Sequence, residues 1–434
     1  MTSSPWPLTA ERTDDGVLTV GGASVVDLAD EFGSPLWIVD ETDIRSRCRW
    51  YRAAFPDTHV CFASKAWPTV GLLQLAADEG LWIDVASGGE LHTARLADVP
   101  MDRVVFHGNN KSEVELRLAA ELGVGRIVAD SFDELDRLEQ IGRELDTTFA
   151  VWLRVTPGID AHTHEYVRTG HDDTKFGFTL SLGLADQALV KAQTLEHVEV
   201  VGAHAHIGSQ IFGTDPFVAN ADVMVELLAR WRQDHEVTLA ELNLGGGMGI
   251  RYTHEDHPVD IAAYGEAVLT AVAAACARYD FPAPRLAVEP GRALVAPSTI
   301  TVYRVGTIKH LPGLRTYASL DGGMSDNIRP ALYDAEHEVT LANRESGEPL
   351  EAFTLVGKHC ESGDILRERA PLPADLRVGD LVALAATGAY TEAMSSNYNR
   401  LPRPGAVIVR DGEARQLIRR ETYDDVVRRD VPLR

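Results

Sequence analysis

The chain has 434 residues, 45% hydrophobic and 24% charged, with a formal charge of −24. That composition excludes a chain disordered over most of its length and leaves room for two or three domains with a large core. So acidic a surface repels nucleic acid and anionic membrane, and neither is expected as a partner.

The first 40 residues are mixed: Val17–Val20 reads as a strand, Val25–Phe32 as a short helix and Pro35–Val39 as another strand. The N-terminus lacks a basic start followed by an apolar core, so no signal peptide is expected. From about residue 41, short β-branched or aromatic runs alternate with amphipathic helical stretches. The runs are His59–Ser64, Leu81–Val85, Val104–His107, Arg126–Ala129, Phe149–Val155, Val200–His206, Ala240–Leu244 and Arg285–Glu289. Between them, Ser112 with Glu115 and Ser131 with Glu134 fit capping boxes, and Leu116, Ala119, Leu135 and Leu138 supply apolar stripes. Short strands alternating with helices read as parallel and buried on both faces, and eight such units favour a closed (β/α)8 barrel of the TIM type over an open sheet.

A polar insertion rich in His, Asp and Gly runs from Thr156 to about Leu180, where a barrel places its mouth. After residue 298 the helical period fades. Runs such as Thr299–Val305, Ala352–Val356, Leu381–Ala385 and Ala406–Val409 predict an all-β domain, which the N-terminal strands join. The expected division is therefore 1–40, 41–297 and 298–434. No run of about 18 apolar residues predicts a membrane span. Cys48, Cys61, Cys276 and Cys360 show no paired spacing, which points to a reducing, cytoplasmic setting without disulfides.

In a parallel barrel, chemistry gathers at the C-terminal ends of the strands. Lys65 follows the first run, His204 and His206 end the sixth, Gly245-Gly246-Gly247 follows the seventh, and Glu289-Pro290-Gly291-Arg292 closes the eighth. A lysine desolvated at a strand end becomes nucleophilic enough to hold a carbonyl cofactor. The glycines let backbone amides approach an anion, although three glycines also make a tight turn. Glu289 needs a buried partner, which could be Arg292, a backbone amide or a heteroaromatic N–H. The His-x-His pair admits a metal reading, but a flat imidazole stacked on a flat ring suits His206 better, and no metal is expected. Cys360, beside His359, is either an inert small side chain or an acid/base thiol.

Six stretches carry a resemblance over roughly residues 35–425: Phe62-Ala63-Ser64-Lys65-Ala66, His206-Ile207-Gly208-Ser209-Gln210, Leu244 to Gly249, Glu289 to Arg292, Asp326 to Tyr333, and Cys360-Glu361-Ser362-Gly363-Asp364. In this order they resemble the fold-type III pyridoxal-phosphate decarboxylases, and within them the diaminopimelate decarboxylase family. The resemblance implies pyridoxal 5'-phosphate as cofactor, anchored by Lys65, stacked by His206 and held by Ser209, Gly245, Gly246, Gly247, Glu289, Gly291, Arg292 and Tyr390. It implies that Arg292, Arg329, Tyr333, Glu361 and Tyr390 contact an amino-acid substrate and that Cys360 donates a proton. It also implies a homodimer with shared active sites. Decarboxylation of ornithine, arginine or lysine, and a regulatory homologue without activity, are the alternatives. A racemase is disfavoured by a glutamate, rather than an arginine, at the ring nitrogen.

Overall fold

The computed structural model describes residues 4–159 and 173–434. Most of the 156–180 insertion therefore lies outside the described residues. The chain separates into two compact units, one of residues 47–249 and 257–293, the other of residues 2–46, 250–256 and 294–434.

The first unit is a closed barrel of eight parallel strands: His59–Ala63, Trp82–Val85, Val104–Phe106, Arg126–Ala129, Phe149–Thr156, Val198–His204, Glu241–Asn243 and Arg285–Val288. Closure is made where Ala287 and Val288 of the eighth strand pair with His59 and Val60 of the first. All eight expected runs are strands because each is a short apolar stretch that can be buried on both faces. The interior is filled by Cys61, Val105, Val128, Trp152 and Ala287, one from each of five strands. It is a packed core, so ligands are confined to the mouth.

Helices follow most strands. On Glu113–Leu122 the Ser112–Glu115 capping box is complete, each side chain bonding the other's backbone amide. At Phe132–Leu145 only half of the expected box forms: Ser131 accepts from the Glu134 amide. The Glu134 carboxylate is instead taken by the Asp130 amide at 2.9 Å and by buried Lys111 at 2.6 Å. A buried ammonium outbids a cap, because leaving it unpaired costs more than losing one terminal hydrogen bond. Helix Ile261–Arg278 is long and apolar enough to cross a membrane by length and composition, although Glu266 and Arg278 keep it from being an unbroken apolar run. It buries Ile261, Tyr264, Val268, Val272 and Ala275 on one side, the spacing of an outer barrel helix.

The second unit is a β domain built around strand Leu36–Asp40. That strand lies between Thr299–Leu311, antiparallel, and Gly405–Arg410, parallel. The expectation that N-terminal residues join the C-terminal sheet is met, and they join as an internal strand, every residue of which is buried. One core gathers Leu36, Ile38, Ile300, Val302 and Val407; a second gathers Tyr303, Leu320, Phe353, Leu355 and Leu372.

Candidate active site

The mouth of the barrel is assembled from strand ends. The first and eighth are tied by a hydrogen bond from the Ala63 amide to the Pro290 carbonyl at 3.0 Å. A one-turn helix, Ser64–Ala66, follows the first strand and carries Lys65. This differs from the sequence reading in one respect: Lys65 is exposed, while Ser64 and Ala66 on either side are buried. The turn points the amine out of the strand layer, into the mouth rather than into the core.

Glu289 is the centre of the buried polar floor. Its Oε1 accepts from Asn243 Nδ2 at 2.6 Å and lies 2.8 Å from His107 Nε2; its Oε2 lies 3.2 Å from His204 Nε2. Burial would push this carboxyl up, but His107 and His204 outweigh it and hold it well below its usual value. Desolvation in turn pulls His204 down to about 4. At neutral pH His204 is therefore uncharged, and what it gives Glu289 is an Nε2–H hydrogen bond. Its Nδ1 is then a buried acceptor with no partner among the described residues. Asp84, from the second strand, has its Oδ1 3.8 Å from His107 Nε2, and desolvation raises it to about 6.

His206 is half-buried and turns away from this floor. Its Nδ1 accepts from the Gly246 amide at 3.2 Å, which leaves the proton on Nε2. Desolvation, then the positive charges of Lys65 and Arg154, keep the imidazole well below its usual value, so the ring is neutral. The His204–His206 pair that a metal reading would require is thus split between two neighbourhoods. The group that does come together is His107, His204 and Glu289, whose ligand atoms lie within 4.8 Å of one another.

The glycine loop is needed for close packing: a β-carbon on Gly246 would sit 2.1 Å from the Glu289 carbonyl oxygen. Beside the loop, Arg292 is buried and donates to Ser209 Oγ from Nη2 at 2.9 Å. The barrel therefore gathers Lys65, His206, Ser209, Gly245, Gly246, Gly247, Glu289, Gly291 and Arg292 at one end. The C-terminal end of the insertion is moored there too, Gly177 by Asp130 at 2.6 Å and Phe176 by Thr156 Oγ1 at 2.7 Å.

The remaining expected residues belong to the second unit. Arg329 opens the short helix Arg329–Tyr333, buried, its guanidinium 4.3 Å from the ring of Tyr252. Cys360 and Glu361 sit on an exposed turn, and Cys360 is the exposed member of the four cysteines. Tyr390 is half-buried with φ at +59°, a left-handed conformation that a tyrosine adopts only under constraint from its surroundings.

Sequence reasoning missed Asp84, His107, Asn243 and Tyr252. The first three each lie at or near the end of an expected barrel strand, so the rule that selected Lys65 and Glu289 would have selected them as well.

The family model for the pyridoxal-binding domain of pyridoxal-dependent decarboxylases matches residues 41–296. The chain is 45% identical over 430 residues to the diaminopimelate decarboxylase of Bacillus subtilis, covering 98% of each. It is 47% identical over 432 residues to that of Corynebacterium efficiens, covering 98% of this chain and 94% of the other. The crystal structure of the M. jannaschii diaminopimelate decarboxylase with L-lysine superposes with a TM-score of 0.93 at 31% identity, covering 100% and 99% of the two chains.

Proposed function

We infer the reaction from one premise: the chain belongs to the pyridoxal-dependent decarboxylases and, within them, to the diaminopimelate decarboxylases. The reaction is removal of one carboxylate from meso-2,6-diaminopimelate as CO2, giving L-lysine, in the cytoplasm as the last step of lysine biosynthesis. The observation that carries it is Glu289: an ionised, buried carboxylate at the mouth of a barrel, facing the end that carries Lys65.

The residues present fit pyridoxal 5'-phosphate. The barrel of residues 41–297 offers an exposed amine for the carbonyl and a neutral imidazole whose ring is held by a backbone bond. It offers a carboxylate for the pyridine N–H, and a loop free of side chains beside the Ser209–Arg292 pair for the phosphate. When bound, the cofactor supplies an electron sink for the pair left at Cα as CO2 departs.

Each side chain then has a task. Lys65 Nζ would hold the cofactor through its carbonyl carbon. Glu289 would hold the ring N–H, and its contacts with Asn243, His107 and His204 fix the carboxylate so that no reorganisation is required during turnover. His206 would support the ring face. Cys360 delivers the proton to Cα. Arg292 and Arg329 hold carboxylates, Glu361 holds the distal ammonium, and Tyr333 and Tyr390 line the substrate. A pocket with both charge signs suits a substrate that is an amino acid at each end. We propose a homodimer in which the Cys360–Glu361 turn completes the partner's site.

The test is purified protein supplied with pyridoxal phosphate. Wild type shows the visible absorption of lysine-bound cofactor and releases CO2 from meso-diaminopimelate in preference to lysine, ornithine or arginine. Lys65→Ala loses both. Preference for ornithine or arginine would overturn the substrate assignment, and a missing band the cofactor assignment.

A further inference from the structure

Arg329, in the second unit, is assigned to a carboxylate of the substrate, and its main chain is well fixed. Asp364 accepts from the Met324 amide at 2.7 Å and from the His359 amide at 2.9 Å, which holds the loop leading to it. Asn327 Oδ1 accepts from the Arg329 amide at 3.3 Å, at the start of helix Arg329–Tyr333. None of these bonds places the guanidinium, which stands at the end of a long, flexible side chain. A cation that reads a carboxylate must be held without tying up all of its N–H donors, since those are what the carboxylate takes.

Tyr252 meets that requirement. Arg329 Cζ lies over its ring, 4.3 Å from the centroid, and the two residues are only 6% and 5% exposed. Stacking engages the flat face of a guanidinium and leaves its in-plane N–H groups for a planar carboxylate. Tyr252 is itself braced. Its amide donates to Asp256 Oδ2 at 2.9 Å, and its carbonyl accepts from the Glu338 amide at 2.9 Å. Its ring meets that of His337 edge to face, with centroids 5.3 Å apart and planes at 89°. His337 is fully buried and donates from Nδ1 to the Ala385 carbonyl at 2.8 Å. Tyr252 belongs to the segment 250–256, which leaves the glycine loop and joins the second unit, so the stack is made within one protomer.

We propose that Tyr252 is a positioning residue: it holds Arg329 by the face of its guanidinium and so presents the N–H edge to the carboxylate of the amino-acid head that is not decarboxylated. This rests on the assignment of diaminopimelate as substrate. The product L-lysine keeps that head, whereas cadaverine, which has lost both carboxylates, does not. Tyr252 should therefore matter to the first two ligands and not to the third.

In the full-length, cofactor-loaded enzyme, Tyr252→Leu should raise KM for meso-diaminopimelate and the calorimetric Kd of L-lysine by a common factor, roughly 10- to 30-fold, as for loss of a desolvated cation–π contact. The kcat and the Kd of cadaverine should stay within about threefold of wild type, because only carboxylate binding is lost. A general loosening of the site would weaken all three ligands alike. Tyr252→Phe keeps the ring face and should restore KM and the lysine Kd. Tyr252→Leu added to Arg329→Ala should cost nothing further, since the two residues act as one. Tyr252→Met fills similar space without a π face and gives the answer where the Leu variant does not fold. A KM and lysine Kd within twofold of wild type, or an equal loss of cadaverine binding, would overturn the role of Tyr252. Wild type that leaves diaminopimelate untouched would instead overturn the substrate assignment, and the lysine and cadaverine Kd values would still decide whether Tyr252 orients Arg329 toward a carboxylate.

Discussion

The barrel mouth and the loops of the β domain solve different problems with different materials. In the barrel, side chains from the ends of the second, third, sixth, seventh and eighth strands meet around Glu289, each fixed by a parallel sheet. In the β domain, Arg329, Cys360 and Glu361 ride on loops tied by backbone amides to one aspartate. Groups that tune a cofactor's electronics must not move relative to it, and strands hold them to within fractions of an ångström. Groups that read the substrate gain from sitting on loops, which change without disturbing the core.

The sharpest way to break that division is Cys360→Ala. If the loops handle substrate and proton while the barrel handles cofactor, turnover should fall by about 10²–10⁴-fold, the range for a removed general acid, with the cofactor's visible absorption unchanged. Loss of that absorption would mean that the two regions are not separable. Next in size is Arg329→Ala. Losing a charge-assisted bond to a carboxylate costs about 1.5–3 kcal/mol, so KM should rise by roughly 10- to 100-fold, with kcat less affected. Steady-state kinetics on meso-diaminopimelate checks both.

The smallest effect is on stability, and its sign differs between the regions. His204 in the barrel is depressed to about 4 by desolvation. Its contribution is complete above about pH 6.5, the unfolded value, and is lost as pH falls toward 4. Asp326 in the β domain is raised to about 7 by desolvation, against hydrogen bonds from Tyr303 and the Gly323 amide. Its contribution is complete below about pH 3.8 and is lost as pH rises through 7. Asp326→Asn should therefore gain a few degrees on wild type at pH 8 and lose that advantage at pH 5. His204→Gln should lag wild type more at pH 8 than at pH 5. Thermal midpoints at the two pH values test the pair, and slopes of the same sign would refute it.

What could be read in the sequence divides along a physical line. The eight barrel strands were legible because a short run buried on both faces has no polar alternation to confuse it. Lys65, His206, the glycine loop and Glu289 were legible because each stands at the end of such a run. The partners of Glu289 were not, since nothing local links Asp84, His107 and Asn243; only closure of the first strand onto the eighth brings them to one carboxylate. The capping box at Ser131 was half right for the same reason, as Lys111 comes from a neighbouring βα unit to claim Glu134. The exposure of Lys65 was hidden because a one-turn helix after a strand leaves no mark in hydrophobic pattern.

Strand Leu36–Asp40 carries a consequence for the chain's birth on the ribosome. Its two sheet neighbours begin at Thr299 and Gly405, so a mostly apolar stretch leaves the exit tunnel long before either exists. At about 5–20 residues per second, the wait for the first neighbour is roughly ten to fifty seconds. The barrel can close during that interval, since all its strands lie between residues 59 and 288. The N-terminal segment must meanwhile remain unpaired in solution, an exposed edge with the features of a nucleus for aggregation. The order of synthesis thus makes the barrel the first unit to mature and the β domain the last.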